Sequence, residues 1–183
     1  MYPNSEEIIM AGFGGQGILF LGKVLAEAGM RSGRHVSWIP SYGPEMRGGT
    51  ANCTVVIAKE PIGSPMVNEP DCVLALNKPS IEKFAKTIRQ GGVLVYNSSM
   101  SDQKPEKDGV KCIPVPASKI AEELGSGRVT NLVMVGAFAK YSQMVKFDDL
   151  VKWLPQIIPA KKKELAEINL NALKKGYEYV SSH

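Results

Sequence analysis

GFGGQGI, which spans Gly12 to Ile18, is the stretch that decides the predicted fold. It follows the short apolar run from Ile8 to Ala11 and precedes apolar residues that recur at helical spacing as far as Gly33. This arrangement predicts a turn that leads from a strand into a helix. Glycines allow positive φ and close approach of another group, and a helix N-terminus attracts anions. The turn is predicted either to bind an anion or to let the helix or a partner backbone pack closely. The residues concerned are Gly12, Gly14, Gly15, Gln16 and Gly17.

The glycines of this turn also fit G-x-G-x-x-G, the pattern of dinucleotide-binding turns. That interpretation requires an acidic residue about 20 residues further on, at the end of the second strand, to hold the ribose hydroxyls. Pro40, Ser41 and Tyr42 occupy that place. Glu27 falls within the predicted helix, and Glu45 lies beyond the strand. The sequence therefore predicts that the turn does not bind NAD.

The rest of the chain alternates predicted strands and helices. The predicted strands after the first are Val36 to Ile39, Ala51 to Ala58, Cys72 to Leu76, Val93 to Tyr96 and Val110 to Val115. A helix is predicted from Pro79 to Gln90, and the chain is mostly helical from Ala117, ending in a helix from Lys161 to Val180. This alternation predicts a three-layer α/β/α sandwich with a mostly parallel sheet and a helical C-terminal part. Ligands of such folds gather at the carboxyl ends of the strands, where the glycine turn lies.

The composition is that of an ordinary globular protein. The 183 residues suit a single domain spanning 1–183, with 44% hydrophobic and 22% charged residues. The net charge of +4 is spread along the chain, so nucleic acid is not an expected partner. The first residues are acidic where a signal peptide would be basic, and no apolar run has the length of a membrane span. A cytoplasmic location without membrane contact is expected.

Cysteine and histidine are too sparse and too scattered for a metal site. Cys53, Cys72 and Cys112 contain no C-x-x-C pair, which excludes an iron-sulfur cluster of the usual local spacing and disfavours a disulfide framework. They are predicted to be small core residues on strands. His35 and His183 form no H-x-x-x-H pattern. No metal ligand and no catalytic residue is predicted on this chain.

SYGPEMRGGTANC, from Ser41 to Cys53, is the second informative stretch. One interpretation is a structured turn in which Glu45 and Arg47 pair with each other or with the backbone. The other is a contact loop, because Tyr and Arg are residue types that interfaces favour. The candidate ligand-binding or interface residues here are Tyr42, Glu45, Arg47, Gly48, Gly49 and Thr50.

Four ordered segments together resemble a known family. They are GFGGQGI, SYGPEMRGGTANCTVVI, IGSPMVNEPDCVLALN and GGVLVYNSS, followed more loosely by NLVMVGAFA and NLNALKKGYEY. These segments are similar to the gamma subunit of the 2-oxoacid:ferredoxin oxidoreductases, and the likeness covers nearly the whole chain. The form of the loop SYGPEMRGG resembles the 2-oxoglutarate branch more than the pyruvate branch.

The resemblance implies an accessory subunit that is inactive alone. The family oxidatively decarboxylates a 2-oxoacid with coenzyme A, giving acyl-CoA, carbon dioxide and reduced ferredoxin. Thiamine diphosphate, Mg and the iron-sulfur clusters are expected on the partner chains, which are the alpha, beta and ferredoxin-like delta subunits. Coenzyme A is expected near the subunit interface, either with a phosphate near the glycine turn and a hydrogen bond from the side chain of Gln16, or bound entirely by residues of the partner chains. The alternative is a free-standing α/β nucleotide-binding or regulatory module.

Overall fold

The computed structural model describes residues 4–41, 50–101, 105–158 and 165–182, and its centre is a six-stranded sheet. The strands are β1 Ser5–Phe13, β2 His35–Ser41, β3 Thr50–Ala58, β4 Cys72–Ala75, β5 Val93–Asn97 and β6 Lys111–Val115. Their order across the sheet is β2-β3-β1-β4-β5-β6. Strand β3 is antiparallel to both of its neighbours, and the remaining pairs are parallel. All strands of this sheet except β3 therefore run in one direction, which confirms the mostly parallel sheet.

Helices cover both faces of the sheet. They are α1 Ile18–Arg31, α2 Lys78–Phe84, α3 Ala117–Glu123, α4 Thr130–Ala139, α5 Phe147–Ile157 and α6 Ala166–Ser181. One face packs against a large core that includes Ile8, Met10 and residues of α1 and α4. The other face carries a smaller core in which Ile9 and Val73 pack with Ile81 of α2. This is the predicted three-layer α/β/α sandwich with a helical C-terminal part.

Apolar spacing accounts for the helices that hold the large core. In α1, Ile18, Leu21, Leu25 and Ala28 recur every three or four residues and are all buried. Helix α4 is buried from Asn131 to Ala139, so apolar side chains project from every face of the helix. Such a helix must pack on several sides, and α4 contacts the sheet as well as α3 and α6.

Strand β1 is longer than predicted and lies in the middle of the sheet. It pairs along all nine residues with β3, from Ser5 opposite Ala58 to Phe13 opposite Thr50. The predicted apolar run from Ile8 to Ala11 is only the part that also pairs with β4. Pairing with β3 therefore extends the strand over flanking residues, including polar ones, that the apolar pattern missed.

The helix predicted from Pro79 to Gln90 is wrong at its C-terminal end. Helix α2 ends at Phe84, a 3-10 turn follows over Ala85–Thr87, and Ile88 is extended. The cause is the anchoring of Arg89, whose backbone N–H donates to the carbonyl of Pro70 and whose Nε donates to the carbonyl of Glu69. The chain turns back toward the sheet there, and Ile88 is buried.

The cysteines and the last helix are partly as predicted. Cys53 and Cys72 are buried on β3 and β4, whereas Cys112 on β6 is only half-buried, and all three are free thiols. Helix α6 begins at Ala166, and residues 161–164 of the predicted last helix lie outside the described residues. Within the described ranges, no helix is both long and apolar enough to cross a membrane.

Candidate functional site

The glycine turn has the predicted strand-to-helix geometry. After β1 ends, the backbone N–H of Gln16 donates to the carbonyl of Phe13 at 3.2 Å and closes a tight turn. Gly15 and Gly17 have φ of 91° and 75°, in the left-handed region that residues with a Cβ rarely adopt. Gly17 is the N-cap of α1, and Gly14 is exposed at the tip of the turn. Glycine at 15 and 17 is thus required by the backbone itself.

Gln16 holds the turn together through its side-chain oxygen. Its Oε1 accepts hydrogen bonds from the backbone N–H of Phe13 at 2.6 Å and from Nδ2 of Asn77 at 3.5 Å. The side chain also fills the space beside Gly12, where an added Cβ would meet both Gln16 and Ile18. The carboxamide oxygen is therefore engaged inside the turn.

Two buried asparagines at the carboxyl ends of β4 and β5 support this edge of the sheet. Asn77 is fully buried, and its Oδ1 accepts from the backbone N–H of Ser80 at the start of α2. Asn97 is also fully buried, and its Nδ2 donates to Oγ of Ser118 at 2.9 Å. Sequence reasoning missed both, although each directly ends an apolar run, in VLALN and in VLVYN.

An open pocket of about 470 Å³ lies beside the turn. It is lined by Gly15, Gln16 and Gly17 of the turn, by Ser118 of α3, and by Arg128, Thr130 and Asn131 at the start of α4. The pocket lies at the carboxyl ends of β1 and β4, where the chain leaves toward β2 on one side and toward β5 on the other. Ligands of open α/β sheets bind at such a switch point.

Asn131 is one of the pocket residues that sequence reasoning did not detect. It is only 7% exposed, and its Oδ1 accepts a hydrogen bond from the backbone N–H of Leu132 at 2.8 Å. Its Nδ2 lies against Gly17, so closely that a Cβ at Gly17 would collide with it. No local sequence pattern connects these positions, because the contact depends on the packing of α4 beside α1.

The loop predicted as a contact surface begins and ends at the same edge of the sheet. Tyr42, Glu45, Arg47, Gly48 and Gly49 lie outside the described residues, so their predicted role stays a prediction. Thr50 begins β3 opposite Phe13, the last residue of β1. The C-terminal end of the loop is therefore adjacent to the glycine turn.

The order of the strands distinguishes this site from a dinucleotide-binding site. In that arrangement the second strand lies beside the first, so its terminal acid can reach the ribose. Here β3 lies between β1 and β2, which moves the end of β2 two strand spacings, roughly 9–10 Å, from β1. Pro40 and Ser41 of β2 are thus neither acidic nor adjacent to the turn.

At the amino ends of the strands, which form the opposite edge of the sheet, lies a network of buried and half-buried ionisable side chains. Burial raises the pKa of Glu6 to about 7, although hydrogen bonds from Ser142 and from the backbone N–H of Met144 lower it. Nearby, Arg89 pairs with Glu7 and with Asp71. These contacts join β1, the residue preceding β4, and the segment after α4. The network therefore fixes the amino edge of the sheet, away from the pocket.

Fold and site together define an α/β domain that presents a glycine turn and a polar pocket at the carboxyl edge of its sheet. The model of the pyruvate ferredoxin/flavodoxin oxidoreductase family matches residues 7–179. The chain belongs to this family.

Two relatives are similar in sequence to almost the full length of this chain. The ketoisovalerate oxidoreductase subunit VorA of Methanothermobacter marburgensis is 40% identical over 97% of this chain, which spans 37% of that relative. The 2-oxoglutarate synthase subunit KorC of Methanocaldococcus jannaschii is 36% identical over 94% of this chain and 92% of the relative. The chain thus spans little more than a third of VorA and nearly all of KorC.

The fold matches gamma subunits closely. The gamma subunit of the keto/oxoacid ferredoxin oxidoreductase from Geobacter sulfurreducens gives a TM-score of 0.85 at 27% identity, covering 97% of this chain and 99% of that one. The 2-oxoglutarate:ferredoxin oxidoreductase from Magnetococcus marinus, solved with 2-oxoglutarate, coenzyme A and succinyl-CoA, gives 0.88 at 28% identity. This match covers 100% of the present chain and 32% of the Magnetococcus marinus chain. The resemblance to the gamma subunits is thereby confirmed.

Proposed function

We propose that this chain is the gamma component of a 2-oxoacid:ferredoxin oxidoreductase complex. The complex oxidatively decarboxylates a 2-oxoacid with coenzyme A and yields acyl-CoA, carbon dioxide and reduced ferredoxin. One observation carries the proposal: the chain superimposes from end to end on a solved gamma subunit, with 97% of one chain and 99% of the other covered. The chain supplies structure and contact surface, and the electron chemistry belongs to its partners.

The distribution of polar groups supports this division of labour. The three thiols lie on three separate strands, β3, β4 and β6. Cys72 is wholly buried, and burial raises its pKa well above the usual thiol value, so it is held as a neutral core residue. We assign thiamine diphosphate, Mg and the iron-sulfur clusters to the alpha, beta and delta chains.

The 2-oxoacid is proposed to be 2-oxoglutarate. The form of the loop SYGPEMRGG and the similarity to KorC subunits named for 2-oxoglutarate support this choice. Ketoisovalerate is the second candidate, because the relative named for that substrate has the higher identity of the two, 40% against 36%.

The carboxyl edge of the sheet is proposed to face the rest of the complex. It presents the glycine turn, the pocket, and Ser41 and Thr50, the residues that flank the segment 42–49. An exposed apolar side chain, Phe13 at 38%, lies at the same edge. Coenzyme A would approach this edge, with the turn glycines allowing close contact.

Purification of the complex through an affinity tag on this chain tests the proposal. Thiamine-binding and ferredoxin-like chains should copurify, and the complex should reduce a viologen dye with 2-oxoglutarate and coenzyme A. The same assay with ketoisovalerate tests the second substrate. The isolated chain should show no dye reduction. Activity of the isolated chain, or a chain that purifies without oxidoreductase partners, would refute the proposal.

A further inference from the structure

We propose that the outer edge of β6 is a docking site for a short, extended, acidic peptide segment of a partner protein. The site is a groove of about 460 Å³ between β6 and the C-terminal ends of α4 and α6. Strands β4 and β5 separate β6 from β1, so the groove is distinct from the glycine turn. The inference goes beyond the proposed function and does not rest on it, because residues of this chain alone form the groove.

Strand β6 has an open edge in the described sheet. It pairs with β5 on one side, and the backbone N–H of Lys111 donates to the carbonyl of Gly92 at 2.9 Å where that pairing begins. The backbone groups of successive strand residues point to alternate sides in the plane of a sheet. The N–H and C=O of Cys112 therefore point away from β5, and so does the C=O of Pro114. The outer edge thus offers one hydrogen-bond donor and two acceptors.

Pro114 limits the length of strand that can pair with this edge. It has no N–H to donate, and proline on an edge strand is a means by which proteins prevent continued sheet extension. A peptide can still pair with Cys112 on both of its backbone groups and donate once to Pro114. The edge therefore suits a segment of about three extended residues, added as in other cases of β-strand addition.

Two lysines give the groove a positive charge. Lys111 and Lys140 line it and are exposed, and each Nζ lies over a tyrosine ring, at 4.9 Å from the centroid of Tyr141 and 5.4 Å from that of Tyr177. Neither ammonium group forms a salt bridge within the part of the chain that the structure describes. The described lining residues include no carboxylate. Acidic side chains of a peptide would complement both charges.

Helix α6 forms the wall of the groove beside the strand edge. Tyr179 and Val180 of this helix line the groove together with Ile113 of β6. Side chains of an extended peptide alternate between two directions, so one row would contact this aromatic and apolar wall. A second copy of this chain fits poorly as the occupant, because its own β6 edge has the same two lysines and like charges would meet.

Titration of the full chain with the peptide Ac-Glu-Glu-Thr-Val-Thr-Glu-Glu-NH2, followed by amide NMR at physiological ionic strength, tests the site. Saturable shifts are expected at the backbone N–H groups of Cys112 and Ile113 and in the last turn of α6. The same peptide with Gln in place of every Glu should bind about tenfold more weakly, because it lacks the carboxylates. A peptide N-methylated at its internal amides should also bind about tenfold more weakly, because it cannot donate to the strand edge.

The double variant Lys111→Gln and Lys140→Gln should weaken binding of the acidic peptide about fivefold or more. The matched control is the double variant Lys83→Gln and Lys152→Gln. These two lysines also lie over aromatic rings, at 5.3 Å and 4.5 Å, but belong to α2 and α5 outside the groove. The control should bind the peptide with unchanged affinity, because distant charges are screened at this ionic strength.

Cys112→Pro removes the outward N–H without removing a bond to β5, so it should weaken binding about tenfold. Cys112→Val keeps the N–H and should bind normally, and urea unfolding verifies that both variants are folded. The N-methylated peptide tests the same backbone bonds without altering the chain.

Three results would overturn the docking site. They are shifts that never saturate, equal affinity for the acidic and the Gln peptides, and equal affinity for the N-methylated and the unmodified peptides. Each leaves the proposed function standing, because that function is tested separately by purification of the complex and its dye reduction.

Discussion

At the scale of single residues, Gly15 offers the most direct probe of the turn. Its φ is 91°, and a Cβ built on it would meet no atom within 4 Å, so the methyl group would project into open space beside the pocket. Gly15→Ala in the purified complex should raise KM for coenzyme A several-fold, because the methyl group would occupy space that the ligand needs. KM for the 2-oxoacid should change little. Steady-state kinetics with each substrate varied in turn measures both values.

Gly33→Ala controls for backbone strain. Gly33 also has positive φ, 76°, and open space around its Cβ, but it lies past the other end of α1. Both substitutions carry a similar conformational cost, of about 1–3 kcal/mol. If both variants retain the wild-type KM for coenzyme A, the turn glycines serve only backbone packing.

At the scale of elements, the contact between α4 and α6 depends on two glycines. A Cβ on Gly136 would collide with the backbone carbonyl of Leu173, and one on Gly176 would collide with that of Val133. Gly136→Ala should lower the free energy of unfolding by about 1–3 kcal/mol, because the two helix backbones must separate. Urea unfolding of the isolated chain measures this loss.

A second glycine substitution provides the control. Gly63 has no atom within 4 Å of its built Cβ and no positive φ, so Gly63→Ala should change stability by no more than about 0.5 kcal/mol. The double variant of Gly136 and Gly176 should lose less than the sum of the single losses, because the first methyl group already separates the helices. Full additivity would show that the two glycines act at independent sites.

The sequence predicts elements well where local pattern determines them. The strand, turn and helix around Gly12 to Ile18 were predictable because apolar spacing and glycine chemistry are local. The end of α2 was not, because the bonds of Arg89 to Glu69 and Pro70 are tertiary contacts that override helix propensity.

The same distinction applies to the candidate site. The turn glycines were identifiable from their motif, whereas Asn131 comes from a distant part of the chain and reaches Gly17 only after α4 is packed. The position of β3 between β1 and β2 was equally hidden, since hydrophobic alternation predicts a strand but not its neighbours. The sequence therefore located the side of the pocket that the glycine turn forms, and the fold supplied the side formed by α3 and the start of α4.

At the scale of the whole molecule, Glu6 makes stability depend on pH. Its pKa is about 7 in the folded chain, against an ordinary value of 4.5, so folding favours the protonated carboxyl. The associated stability is fully present below pH 4.5 and is lost as pH rises through 7, a loss of about 3 kcal/mol. Glu6→Gln should remove most of this slope, because the amide stays neutral. Urea unfolding between pH 4.5 and pH 8 measures it.

Glu123→Gln is the control for this effect, since Glu123 is exposed at the end of α3. It should retain the pH dependence of the unsubstituted chain. The pKa values of Glu7 and Asp71 are also raised by burial, so a small residual slope is expected in Glu6→Gln. An unchanged slope in folded Glu6→Gln would show that Glu6 is not the titrating group.

Strand β1 separates the buried Glu6 from the glycine turn. Glu6 is the second residue of the strand, and the tip of the turn follows Phe13, its last residue. Nine extended residues place them roughly 27 Å from each other, which is beyond the Debye length at physiological ionic strength. A substitution at Glu6 therefore contacts none of the residues of the glycine turn. The pH range over which the chain stays folded and the form of the turn can thus be altered as two independent properties of one scaffold.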